Sequence, residues 1–400
     1  MEQSARPKVF DIELLGDSHE LVYYPGSTIE GNVVIELTTP LRPIQGIKVV
    51  LGGIVFTNWE QRKETHGTVY KITFSEEETA LDDITVEVSI RRDHTAVDAA
   101  PQQLVGLPTG KHTFPFTIQL SPDLTLPSSF ESPFGYIRYT LTAGICTPEL
   151  RQFYYTSAVK PVPICSNIDV NLPTYTLPIT KSKEETAMRC LCCASGPITM
   201  TVTTDRSGYC SGESIAITVI TENFSNRQLG SLQADLKQIV RYHGEPTTLH
   251  GRYVRNAYTR SKDVITSVST VIQSIKGAPD WSNKLMCIPV IVPTISNSQI
   301  VQVAYTLDVF LEIHNASNLH TEIPIVIGTI PYKGPTAANA VDLGYTSDTS
   351  PVYNDDENYG DLHYAPIYSY VKNYQFAPAE ADSEASYVNH AITSDRISLI

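Results

Sequence analysis

The residues able to do chemistry fall into a few groups along the 400-residue chain. Cys190, Cys192 and Cys193 crowd together in "RCLCCASG", three of seven cysteines in all. Zinc sites need spaced cysteine pairs answered by a second pair or by histidines, and the sequence has no answering cluster. The trio reads either as a target for S-palmitoylation or as small hydrophobes at the start of a strand. The ten histidines are scattered, and no glycine-rich phosphate loop, G-x-S-x-G elbow or H-E-x-x-H pair occurs. The sequence therefore nominates no catalytic residue, no metal ligand and no cofactor, and the chain reads as a non-enzyme.

A second group is basic. Lys237, Arg241, Arg252, Arg255, Arg260 and Lys262 share the stretch "KQIVRYHGEPTTLHGRYVRNAYTRSK" with a single acid, Glu245. Folded as a hairpin, they would gather on one surface suited to anionic lipid headgroups or phosphorylated tails. The same charges also suit a solvated edge strand protected against aggregation. The chain as a whole carries a formal net charge of −14, which excludes a general nucleic-acid interface. Ten acids against two bases (Lys372 and Arg396) place much of that charge beyond Gly334.

That acidic end is also rich in tyrosine. Tyr359 with Leu362, Tyr364 with Ile367, and Tyr368 with Val371 each fit the Tyr-x-x-apolar sorting signal that clathrin adaptors read as an extended strand. Exposed tyrosines beside acids, as in "YNDDENYGDL", are open to phosphorylation as well. The chain ends "ISLI", where Ser398 and Ile400 fit a PDZ ligand.

The elements that position these groups are strands. In "KHTFPFTIQL", Phe114, Phe116, Ile118 and Leu120 face one way and polar residues the other, the period-two pattern of a half-buried strand. Val33, Ile35 and Leu37 repeat it, as do Val301, Val303, Tyr305, Leu307, Val309 and Leu311. Pro and Gly clusters punctuate the runs, and "SLQADLKQIV" is the one stretch that tempts a helical reading. The two halves echo each other. "YPGSTIEGNVVIEL" aligns with "YCSGESIAITVITEN", and "IRYTLTAGI" aligns with "VAYTLDVFLEI", in the same order. The spacing, roughly 165–185 residues, is too long for a solenoid and fits two copies of one β-sandwich. The expected domains are 1–160, a Pro- and Thr-rich linker over 161–195, 196–332, and an acidic disordered tail over 333–400.

The N-terminus "MEQSARPKVFDIELL" shows no basic region followed by an apolar one, and no apolar run approaches the roughly 18–20 residues that span a bilayer. With an odd number of scattered cysteines, the expectation is a cytoplasmic chain with reduced thiols, in which the sequons at Asn223 and Asn315 go unused.

Specific motifs resemble a known family. "LPTGKHTFPFTIQLSPDLTLPSSFESPFGYIRYTLTAGI" is similar to the signature region of the arrestin-domain-containing proteins, the α-arrestins. "YYPGSTIEGNVVIEL", "CCASGPITMTV" and "PIVIGTIPY" resemble the family's landmarks, so the likeness runs over about residues 8–332. It implies an all-β fold of two arrestin-like, immunoglobulin-like sandwiches in tandem. It also implies a trafficking adaptor recruited to the plasma membrane or endosomes, whose body holds membrane cargo such as receptors or transporters. In the family, tails recruit WW-domain ubiquitin ligases through Pro-Pro-x-Tyr. That motif is absent here, and its degenerate versions are Pro173 with Tyr175, Pro351 with Tyr353, and Pro366 with Tyr368. The alternative is an arrestin-fold scaffold without ligase recruitment. Its tail would be a spacer, an autoinhibitory strand added to the body, or a docking segment regulated by phosphotyrosine. The redox pairing of the family's thioredoxin-binding member wants a cysteine near Gln238–Gly244, where this chain has none.

Overall fold

The computed structural model describes residues 7–16, 22–65, 68–88, 105–147, 150–190, 193–247, 261–268, 271–273, 280–334, 343–347 and 364–372. Among the described residues the fold is all-β, and the helix is one turn, Pro173–Thr176. The chain divides into two compact units. The first comprises Met1–Phe56, Glu77–Ser166 and Thr349–Ile367, and the second Thr57–Glu76, Asn167–Asp348 and Tyr368–Ile400.

In the first unit, Thr28–Leu37 runs antiparallel between Val9–Leu14 and Gly110–Gln119. A second sheet orders Leu150–Pro161, Gly135–Thr147, the first-unit part of Gly46–Thr65 (to Phe56) and the first-unit part of Thr68–Val88 (from Glu77). The alternation read from the sequence decides which side chains are enclosed. Val33 and Ile35 are 0% exposed, and Phe116, Ile118 and Leu120 at most 4%. Ile137, Tyr139, Leu141, Ala143 and Ile145 are all 0% exposed, and they are every second residue of one strand.

The second unit repeats the plan. One sheet orders Ile179–Cys190, Cys193–Thr204, Ser214–Asn223 and Trp281–Cys287. The other orders Gly208–Cys210, Leu319–Gly328, Val301–Ile313, Leu229–His243 and Ser261–Ser267. Val301, Val303, Leu307, Val309 and Leu311 are all 0% exposed, on the face the period predicts. The helical temptation in "SLQADLKQIV" loses to a strand of fifteen residues, because Leu232, Ala234 and Leu236 bury on its inner side.

The internal repeat survives at atomic detail. Gly26 and Gly212 end corresponding turns with φ of 95° and 85°, a backbone that favours glycine. Tyr139 donates its hydroxyl to Pro127 C=O at 2.6 Å, and Tyr305 donates to Val292 C=O at the same distance. These tyrosines are the ones aligned through the shared Tyr-Thr-Leu.

Two stretches expected to lack regular structure hold strands. The supposed linker 161–195 holds the Ile179–Cys190 strand, paired along its length with Cys193–Thr204. Its outer positions are hydroxyls rather than apolar residues, with Thr180 2.9 Å from Thr203 and Ser182 2.9 Å from Thr201. A strand held by hydroxyl pairs carries no hydrophobic period, which is why its sequence reads as linker. The tail, expected to be disordered from 333, contains Leu343–Ser347 paired with Ile367–Val371.

Candidate functional site

The Glu131–Arg138 hairpin and its surroundings make the most elaborate polar site of the first unit. Phe130–Ser132 turns back on Gly135–Thr147 with Phe130 opposite Ile137. This turn sets Glu131 and Arg138 side by side. Arg138 Nε donates to Glu131 Oε1 at 2.6 Å and Nη2 to Oε2 at 3.0 Å, with both side chains under 10% exposed. The guanidinium lies 3.7 Å from the Tyr136 ring centroid. Such a bidentate pair orients as well as neutralises.

Beside it sits Tyr364, from the tail. Its ring is 4% exposed and lies 5.7 Å from the Arg138 guanidinium. Its hydroxyl accepts the Tyr139 N–H at 3.0 Å and has Ser129 Oγ and the Val162 carbonyl each at 3.3 Å. Antiparallel strands exchange both N–H to C=O bonds at every second pair. Val162 N–H reaches Tyr139 C=O at 2.9 Å, but the return bond from Tyr139 N–H is taken by the phenol. The tyrosine is therefore inserted into the ladder as a bridging group. Ser129 Oγ also accepts the Ile164 N–H at 3.0 Å, so the socket is built from backbone groups and one hydroxyl that the backbone holds in place. Burial pushes the Tyr364 phenol up to about 12, which holds it neutral and able to both donate and accept.

In the second unit, Val371 of the same tail donates its N–H to Ser211 C=O at 2.8 Å. Gly212 makes room for it: a Cβ there would lie 2.2 Å from the Val371 carbonyl oxygen. Nearby, Arg206 stands over the rings of Tyr209 and Tyr332 at 4.4 and 4.6 Å, with Asp205 and Glu213 each at 3.4 Å.

The sequence-nominated residues fare unevenly. Tyr364, Pro366 and Tyr368 are buried, so as placed they offer neither a sorting signal nor a WW ligand, and Ile367 and Val371 are half-buried with them. Pro173 and Tyr175 fall within a helical turn in which Tyr175 N–H reaches Leu172 C=O at 2.8 Å. That is incompatible with the polyproline II form a WW groove takes. Pro351, Tyr353, Tyr359, Leu362, Ser398 and Ile400 lie outside the described residues.

The basic patch is discharged where it is seen. Leu229–His243 and Ser261–Ser267 pair as the expected hairpin, but Arg241 is opposite Asp263 and bonded to it at 2.8 and 2.9 Å. Lys237 pairs with Asp308, which also meets His320. Lys262 is opposite Tyr242, on the other face from Arg241. Arg252, Arg255 and Arg260 lie outside the described residues. The sequence count missed that Asp263 and Asp308 come from neighbouring strands.

Cys190 and Cys193 are opposite each other where two strands of the second unit meet, and Cys192 is outside the described residues. Cys190 and Cys193 thus end two paired strands. Elsewhere, Cys165 is fully enclosed, with burial pushing its thiol up to about 12, whereas Cys287 is exposed. Thiolate is the species that reacts. Brief alkylation of the native chain near pH 8 is therefore expected to modify Cys287 well before Cys165 or Cys210. Peptide mass mapping reads the order, and equal labelling of Cys165 and Cys287 would contradict the burial. No group of three or more His, Cys, Asp or Glu suited to a metal ion occurs among the described residues. Among them, too, no helix is long and apolar enough to cross a membrane.

Two sandwiches in series, each with the same glycine turn and tyrosine-to-carbonyl bond, define a class. The family model "Arrestin (or S-antigen), N-terminal domain" matches residues 10–171, and "Arrestin (or S-antigen), C-terminal domain" matches residues 194–332. The chain is 29% identical over 328 residues to arrestin domain-containing protein 4 of Homo sapiens, covering 81% of this chain and 72% of that one. It is 31% identical over 210 residues to arrestin domain-containing protein 4 of Rattus norvegicus, covering 52% and 63%. Thioredoxin-interacting protein of Mus musculus matches at 21% over 408 residues, covering 94% and 95%. The chain belongs to the arrestin family, in its α-arrestin branch, with two arrestin domains in tandem.

Proposed function

We propose that the chain is a non-enzymatic cytoplasmic adaptor in membrane-protein trafficking, linking cargo to endocytic and ubiquitin-ligase machinery at the plasma membrane or endosomes. The observation that carries this reading is the tandem match to both arrestin domains, in family order. Burial of Pro366 and Tyr368 narrows the ligase-facing candidates in the tail to Pro351 and Tyr353. The full chain is therefore expected to capture WW domains from an array through Tyr353. Tyr353→Ala removes the capture and Tyr368→Ala does not weaken it. Capture indifferent to Tyr353→Ala would remove the ligase link.

A second reading draws on Tyr364: the tail is a closing segment of the arrestin body, as in the scaffold alternative. Its support is the phenol seated in the Tyr139–Val162 ladder and the Val371 bond to Ser211, each within its own unit.

A further inference from the structure

We propose that Tyr364 is a tyrosine-phosphorylation site whose modification and whose seat in the first unit exclude each other. This rests on the reading of the tail as a closing segment. The seat recognises a neutral phenol. Its oxygen accepts one backbone N–H, from Tyr139, and its proton goes to the Val162 carbonyl or to Ser129 Oγ, each at 3.3 Å. Among the described residues bonded to the phenol none is a cation, and Arg138, 5.7 Å from the ring, is already committed to both oxygens of Glu131, at 2.6 and 3.0 Å.

The modification itself needs a protein tyrosine kinase and ATP. The phenolic oxygen attacks the γ-phosphorus and a new P–O bond forms. The bond to the β-phosphate oxygen breaks, ADP leaves, and the phenolic proton passes to the kinase's base. The product has lost the proton that the phenol offered to the Val162 carbonyl, and it carries a charge of about −1.5 to −2 at neutral pH. Returned to the seat, that charge would face a carbonyl oxygen and the Glu131 carboxylate inside a site closed to water. Burial of an uncompensated charge is among the costliest events in a fold. The phosphorylated segment therefore stays out.

The reverse relation holds too. The Tyr364 hydroxyl is enclosed while seated, so a kinase reaches it only when the segment opens, and the rate of modification reports how often that happens. The sequence just before it, "YNDDENYGDLHY", supplies acids at Asp355, Asp356, Glu357 and Asp361 that a basic kinase groove would favour. Tyr364 is thus a tyrosine that the body protects from modification and that, once modified, the body no longer accepts.

The test uses the purified full chain, a broad-specificity tyrosine kinase with Mg-ATP, and a synthetic peptide of residues 359–374 as the unprotected reference. Mass spectrometry follows phosphate at Tyr364, and hydrogen exchange follows the amides of residues 364–372 before and after. The expected result is modification at least about tenfold slower in the chain than in the peptide, followed by loss of exchange protection over 364–372. A Tyr364→Glu chain is expected to lack that protection from the start, and Tyr364→Phe to retain part of it. Protection that persists after phosphorylation overturns the proposal and leaves the closing tail standing. A peptide that the kinase does not modify at Tyr364 overturns it as well. Absence of protection in the unmodified chain, with chain and peptide modified at equal rates, brings down the closing-tail reading itself.

Discussion

Replacing Arg138 with methionine is expected to destabilise the first unit by about 3–5 kcal/mol, because it strands a buried carboxylate. Glu131 is 4% exposed at its side chain and Arg138 8%, so water reaches neither. Solvated surface pairs are worth about 0–1 kcal/mol, whereas removing one partner of an enclosed pair leaves the other without solvent or counter-charge. Arg138 also stacks on the Tyr136 ring at 3.7 Å, so the substitution loses a cation–π contact at the same position. Thermal unfolding followed by circular dichroism is expected to show the first unit melting roughly 10 °C lower. The double variant Glu131→Leu with Arg138→Met is the control. It removes both charges, and it is expected to recover most of the loss, since apolar side chains of similar volume replace buried ion pairs at little cost. A single variant melting like the wild type would mean that the pair is solvated and the hairpin is not the anchor described.

The placement of that pair was only partly legible in the sequence. "SSFESPFGYIRY" marks the family's signature, and the alternation of Ile137, Tyr139 and Leu141 fixes which residues of the strand turn inward. By the same alternation Arg138 should face outward. It is buried because the Phe130–Ser132 strand, paired alongside, sets Glu131 against it, and because the Tyr136 and Tyr364 rings lie against the guanidinium. A three-residue strand is too short to show a period. Asp308 makes the same point: it lies on the outer side of its strand yet is 7% exposed, covered by Lys237 and His320 from the neighbours on either side. Single-strand patterns report the core face well. They say nothing of what lies across the sheet.

Residues 364–372 of the tail read as unstructured for a related reason. Acidic and small residues dominate the stretch from 333 onward, so composition argued for disorder. What orders Tyr364 is the Ser129 hydroxyl with the backbone of Tyr139 and Val162, more than 200 residues earlier in the chain. The stretch "PIYSYV" has no clear apolar-polar alternation, and its tyrosines read as accessible ligands because nothing local indicates a partner. Sorting-signal and WW readings ask for the same Tyr and apolar residues that a closing strand uses. Only the long-range pairing separates them.

The Gly212→Ala chain is expected to lose the tail's contact with the second unit, while the equivalent change at Gly26 is expected to leave the tail in place. Both glycines end matched turns of the repeat, with φ of 85° and 95°, so an alanine at either pays the same left-handed backbone penalty of about 1–2 kcal/mol. They differ in what the new methyl meets. At Gly26 the nearest atom is Pro122 Cβ at 3.6 Å, an ordinary contact. At Gly212 it is the Val371 carbonyl oxygen at 2.2 Å, with the Val371 nitrogen at 3.0 Å. Backbone at that distance has no flexible end to swing aside, so the tail strand must move, and the bond from Val371 N–H to Ser211 C=O goes with it. Hydrogen exchange separates the two effects. Both variants lose global stability by similar amounts, and Gly212→Ala alone exposes the Val371 amide to fast exchange. Gly26→Ala thus measures the strain, and the difference between the two chains measures the tail. If the Val371 amide exchanged at the wild-type rate in Gly212→Ala, the close approach would not exist in solution, and the closing segment would have to be abandoned at that end.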